Sequence, residues 1–119
     1  MNLFAGQVVV IDWRDALPKE PNKRRPGIVV EDSALFETNH PTAIVVPLSS
    51  RTDMAWPDLT VPLPPTSRNG LSAQSHALCH LVTAVSKRRV TPTDGRISPA
   101  ELAEIRRAIA LAIGLDEVP

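Results

Sequence analysis

The chain has 119 residues, with thirteen basic side chains against thirteen acidic ones and an apolar content of 43%, which suits a single folded domain, 1–119, with a core of its own. Zero formal charge excludes a protein that coats nucleic acid through bulk positive charge. No apolar stretch approaches the roughly 20 residues a membrane helix needs. Met1 to Gly6 carries no basic region ahead of a long apolar segment, so cytoplasmic residence without a secretory signal or membrane partner is expected. Cys79 is the one cysteine, which excludes an internal disulfide and leaves no thiolate set for zinc. It reads as a small buried residue, and no metal or other cofactor is expected.

Gly6 to Asp12 is rich in β-branched residues and bounded by glycine, the pattern of a buried first strand. From Ala16 to Lys23, Pro18 and Pro21 with Lys19, Glu20 and Asn22 deny helix and strand alike, which predicts a mobile loop of about ten residues. Pro26 restarts the sheet, with a second strand near Gly27 to Glu31. A turn-rich segment spans Asp32 to Pro41, where His40 reads as a turn residue, and a third strand covers Thr42 to Leu48. The second and third strands are expected to be antiparallel neighbours. Leu59 to Leu63 alternates, but Pro62 removes a ladder donor and confines it to an edge. Ser75 to Val85 reads as one strand buried on one face, on which His76 and His80 share a side. Five or six strands are expected in all. Ser98-Pro99-Ala100-Glu101 is a capping box with proline at the first helical position. The helix it opens repeats Leu102, Ile105, Ile109, Ala112 and Ile113 on one face and ends at Gly114.

Two features carry chemistry. Arg25 precedes Pro26 at the mouth of one apolar run, while Ser49 and Ser50 end another; a strand delivering an arginine beside a strand delivering a hydroxyl is a compact way to build a phosphate site. The triplet Lys-Arg-Arg also occurs twice, at 23–25 and 87–89, and the two form one basic stripe if the fold brings them together. Trp13 and Trp56 are read as packing residues, with base stacking as the other reading.

In this order, Gly6-Gln7-Val8-Val9, Arg24 to Val30, Thr42 to Ser50, Ser75 to Lys87 and Gly95-Arg96-Ile97-Ser98 with the last helix resemble the MazF/PemK family over nearly the whole chain. The resemblance implies a mainly β fold with a C-terminal helix (α+β), a small SH3-like barrel of the CcdB/MazF type. It also implies a homodimeric toxin of a type II toxin–antitoxin pair, which cuts single-stranded RNA selectively without metal and is held by a cognate antitoxin. Related CcdB proteins share the fold and poison DNA gyrase, so the alternative is a non-catalytic binder of that kind, or a degenerate toxin that only binds RNA or antitoxin.

Carried over by position, the family's arginine before proline falls on Arg25 and its hydroxyl after the third strand on Ser49. The upstream loop acid seen in some members is matched by Glu20. Where many relatives have an arginine late in the long strand and an aspartate before the lysine, this chain has Thr83 and Ser86. Those charges do not carry over, which points to a different choice of RNA sequence.

Cutting RNA without metal turns the ribose 2′-hydroxyl on its own phosphate. A guanidinium is suited to hold the phosphorane charge, because its planar fork grips two oxygens and stays charged. Arg25 is the candidate for that task, and Ser49 for a hydrogen bond to a phosphate oxygen or the 2′-hydroxyl. Glu20 and His80 are alternative proton carriers. Lys23, Arg24, Ser50, Arg51, His80, Thr83, Lys87 and Arg88 are the candidate RNA contacts, the cationic ones acting through the backbone.

Overall fold

The apolar runs become strands of one bent antiparallel sheet. The computed structural model describes residues 2–13 and 24–116. They form β1 (Gln7–Asp12), β2 (Arg24–Val29), β3 (Thr42–Ser49), β4 (Thr60–Leu63), β5 (Ser75–Leu78), β6 (Thr83–Ser86), β7 (Val90–Arg96) and the helix α1 (Pro99–Ala112). Strand order is β4-β5-β3-β2-β1-β7, and β6 also pairs with β3. The mainly β fold with a C-terminal helix matches the expectation, as does the antiparallel pairing of β2 with β3, in register at Ile28↔Val46 and Val29↔Val45.

Antiparallel strands with one wet face alternate apolar and polar residues, whereas strands covered on both faces read as unbroken apolar runs. The centre of this sheet is of the second kind. Val8, Ile28, Val46 and Leu48 point to one face, where they meet Val61, Leu63, Ala77, Ile97, Ile105 and Ala108. Val9, Ile11, Val29, Ala43 and Val45 point to the other, with Leu3, Val85 and Val90. Gly27 lies between these layers with no room for a side chain: an added Cβ would meet the Ile11 terminal methyl and lie 3.0 Å from the Val46 carbonyl oxygen.

Helix α1 closes the first layer. The Ser98 hydroxyl accepts from the Glu101 amide at 3.1 Å while the Glu101 carboxylate accepts from the Ser98 amide at 2.9 Å, the reciprocal capping the sequence predicts. At the other end Gly114, with φ 78°, lets the Leu115 amide reach the Ala110 carbonyl at 2.8 Å and its own amide reach Leu111 at 3.2 Å, a Schellman stop. Ile105 is fully buried, whereas Ile113 is 60% exposed, so the apolar face meets the core through its first turns only. Arg106 fixes the helix to the end of β2 by donating twice to the Val30 carbonyl, at 3.2 and 3.0 Å.

The structure corrects three expectations. Ser75 to Val85 is two strands, β5 and β6, separated by a 3-10 turn at Cys79–Leu81, so His76 and His80 share no strand face. The chain leaves β4 and β5 for β6 at that turn, and Cys79 is drawn into the core there. The second correction is β7, which makes seven strands among the described residues: Thr91-Pro92-Thr93-Asp94-Gly95 has turn composition, but β7 is the outer strand on β1, an edge position where a proline is tolerated. Third, His40 is more than a turn residue. Its Nε2 lies 2.9 Å from the Oε2 of Glu31, whose side chain is 1% exposed, and the other Glu31 oxygen accepts from the Ile44 amide at 3.1 Å.

Burial pushes the Cys79 thiol up from 9.0 to about 12. A raised value means the fold favours the neutral thiol, so this stability is fully present below pH 9 and is lost as pH rises from 9.0 toward about 12. At pH 8 iodoacetamide should therefore leave the folded protein unlabelled and label it in denaturant, as mass spectrometry would read.

Candidate nucleic-acid interface

The site forms where β3 changes partners. Its first half pairs with β6 as far as Val45↔Thr83, and its end pairs with β5 at Leu48↔Ala77 and Ser49↔His76. Pro47, which has no N–H to donate, falls in the gap between the two ladders. The split opens a groove of about 1020 Å³ bordered by the ends of β2 and β3, the segments at 50–54 and 71–75, and β6. Arg25, Ser49, Ser50, Arg51, Thr83 and Arg89 line it, with Pro47, Leu48, Met54 and Leu81 among its apolar walls. Among the described residues, three arginines line the groove and no carboxylate does, so positive side chains gather on one concave surface of a chain of zero formal charge.

Register explains how Arg25 meets Ser49. Gly27 lies opposite Pro47 in the β2–β3 ladder, and continuing that register by two residues sets Arg25 opposite Ser49. Alternation then divides the first basic triplet between faces: Arg25 lines the groove, while Arg24 turns the other way, its Nη2 donating to the Thr91 hydroxyl at 3.2 Å. The Ser49 hydroxyl accepts from the Arg51 amide at 3.2 Å, which holds its oxygen in place and leaves its own proton to be donated. Trp13 both lines the groove and packs against the second core layer, and Trp56 is 57% exposed.

The two basic triplets do converge, through one arginine each. Arg89 joins Arg25 in the groove, and it was not among the residues singled out from the sequence. Lys87–Arg89 is a 3-10 turn, capped by the Ser86 hydroxyl accepting from the Arg88 amide at 3.3 Å. At three residues per turn, consecutive side chains point about 120° apart. Lys87 therefore lies over the Phe36 ring, 5.3 Å from its centroid, Arg88 is exposed, and only Arg89 enters the groove. A run of like residues in a sequence cannot say which member turns inward.

Of the other predicted residues, Ser50, Arg51 and Thr83 line the groove, and so does Ser86. His80 does not. It sits on the turn that packs against α1, and its Nδ1 is buried without a hydrogen-bond partner among the described residues. Glu20 and Lys23 lie outside the described residues.

Arg51 is engaged at the groove edge. Its Nε and Nη2 donate to the two Asp53 carboxylate oxygens at 3.1 and 2.6 Å, a bidentate fork in solvent. The hydrogen bonds from Arg51 hold the Asp53 carboxyl below the usual carboxylate range, and those to Asp53 raise Arg51. A phosphate reaching Arg51 therefore competes with Asp53. Asp53→Asn should tighten single-stranded RNA binding and steepen log K against log salt by about 0.7, one phosphate contact's worth, which a fluorescence anisotropy titration at several salt concentrations would read.

The fold is that of a known group of structures. The chain superposes with a TM-score of 0.74 on an endoribonuclease in complex with its cognate antitoxin from a mycobacterial species, at 19% identity, covering 98% of this chain and 99% of the other. It matches a MazE–MazF structure from Deinococcus radiodurans with a TM-score of 0.75, at 22% identity and the same coverage. Among curated relatives, endoribonuclease MazF9 of Mycobacterium tuberculosis is 28% identical over 114 residues, 92% of this chain and 95% of that one. The family model for PemK-like, MazF-like toxins of type II toxin–antitoxin systems matches residues 5–113. The chain belongs to that family.

Proposed function

We propose that this toxin is a metal-independent, sequence-selective endoribonuclease of the cytoplasm, acting as a homodimer on single-stranded RNA and held inactive by a cognate antitoxin. The observation that carries the reading is the groove itself, where Arg25, Arg51 and Arg89 are gathered with Ser49. A polyanion is the ligand such a surface attracts, and a groove with apolar walls leaves room for unpaired bases beside the backbone. The curated relatives that are endoribonucleases and the structural neighbours solved with antitoxins support the same reading.

In the mechanism, the RNA backbone lies across β2 and β3 with the scissile phosphate between Arg25 and Ser49. The 2′-oxygen attacks the adjacent phosphorus, its proton passing to a base, and the P–O5′ bond breaks as the leaving oxygen takes up a proton. The products carry a 2′,3′-cyclic phosphate and a 5′-hydroxyl. Arg25 holds the negative charge that builds on the non-bridging oxygens, the contribution that grows toward the transition state. Ser49, anchored by the Arg51 amide, donates its proton to a phosphate oxygen. A serine hydroxyl is a poor base by itself, because its oxygen is only weakly basic.

Thr83 and Ser86 both line the groove, where relatives carry an arginine and an aspartate. One positive and one negative charge leave together, so the net potential is preserved while the base-reading hydrogen bonds change. Ser49→Ala should slow cutting by less than Arg25→Ala, with Ser50 close by to offer a second hydroxyl. Equal losses in the two variants, in single-turnover assays on one substrate, would reassign Ser49 to the proton-transfer step. A protein that binds RNA but leaves it intact at every site would instead support the non-catalytic alternative.

A further inference from the structure

A second recess borders the groove. It measures about 410 Å³, within the about 300–1,000 Å³ typical of ligand pockets, and lies against β1, β7 and the segment at 67–72. The two depressions share Pro26, Leu71 and Ser72 as a common rim. We infer that this recess is a subsite for a nucleotide flanking the cleaved bond, with Asp94 reading the base and Arg68 contacting its phosphate. The inference rests on the ribonuclease reading above and extends its RNA path beyond the groove.

Four observations carry it. The recess is preformed, because the wall at 66–71 is tied down by Asn69, a side chain in a residue only 2% exposed. The Asn69 Oδ1 accepts from the Thr66 and Leu71 amides at 3.0 and 2.9 Å, and its Nδ2 donates to the Pro64 carbonyl at 2.9 Å. The opposite wall is equally fixed: the Arg96 amide donates to the Arg68 carbonyl at 2.9 Å, and a Cβ on Gly95 would collide with the Asn69 carbonyl. A rigid, ready-shaped site loses little ordering entropy when it binds.

The floor is apolar, made by Val8, Val10 and Pro26, and suits the face of a base. The polar groups around it differ from those of the groove. Asn69 and Thr93 spend their hydrogen bonds on the fold, so the charged groups the recess offers are the exposed Asp94 carboxylate as an acceptor and Arg68 as a cation, beside the Ser67 and Ser72 hydroxyls. A carboxylate is wrong for a phosphate and right for amino and imino hydrogens. Guanine offers two such donors side by side, cytosine and adenine one amino group each, and uracil only its imino group. The subsite should therefore favour guanine.

The test uses the whole protein and RNAs centred on one mapped cut site, with flanks trimmed stepwise and the flanking position set to each base in turn. For the wild type, trimming on one side should raise KM by about tenfold with kcat unchanged, and guanine at that position should give the lowest KM of the four bases. Asp94→Asn should abolish the base preference, and Arg68→Ala should remove the benefit of the extra nucleotide, while both retain the wild-type melting temperature and kcat. Wild-type cutting that ignores flank length and base, or variants that keep the wild-type dependence, would overturn the subsite while leaving the ribonuclease reading intact. No cutting by the wild type would overturn both.

Discussion

Arg25→Ala should lose roughly a hundredfold to a thousandfold in the rate of RNA cleavage, about 3–4 kcal/mol of barrier, the cost of removing one preorganised charge stabiliser. The melting temperature should not change. Arg25 is an exposed residue at the start of β2, and neither core layer contains it. Arg25→Lys separates charge from geometry: it keeps the positive charge but loses the fork that spans two phosphate oxygens, and it should recover only part of the loss. Single-turnover rates at saturating RNA would report both variants. Full activity in Arg25→Ala would move the charge-stabilising role to Arg51 or Arg89, the other arginines that line the groove.

The largest stability effect should come from Ile105→Asp. Ile105 is fully buried at the contact between α1 and a layer that includes Val8, Ile28, Val46 and Leu63. A carboxylate there has no partner to offset its desolvation, and the penalty is comparable with the whole stability of a domain this size, about 5–15 kcal/mol. No cooperative melt is expected from the purified variant. The control is Ile105→Val, which should cost about 1 kcal/mol and lower the midpoint by about 4 °C. A normal melt for Ile105→Asp would mean that the helix is not seated on this layer.

The contrast between these two positions also separates what the sequence could reveal from what it could not. The apolar runs of β1, β2 and β3 stood out because both sheet faces are buried, and the capping box of α1 is a purely local signal. Arg25 and Ser49 were legible because each ends an apolar run, and adjacent antiparallel strands bring such ends together. The rest depended on distant partners. Nothing near Thr91 to Gly95 announces a strand; its pairing depends on β1, which lies at the other end of the chain. The contact between Glu31 and His40 spans a turn whose path local residues do not dictate. His80 was drawn toward the site by its chemistry alone, and the 3-10 turn at 79–81 instead carried it to the helix side. Arg89 was hidden within a triplet whose members look alike until the turn spreads them apart.

The three arginines that line the groove also bear on inhibition. An antitoxin segment that competes with RNA must supply negative charge to them, and an acidic segment that folds on binding would do so. Such a complex should weaken with salt much as RNA binding does.

The measurement that tests the central claim most directly is incubation of the antitoxin-free protein with a long single-stranded RNA in excess chelator, beside Arg25→Ala, with mapping of cut positions and end groups. Cuts confined to a short recurring sequence, carrying 2′,3′-cyclic phosphate and 5′-hydroxyl ends and missing from the variant, are the predicted result. Intact RNA with the wild-type protein, or cutting that Arg25→Ala performs equally well, would contradict it.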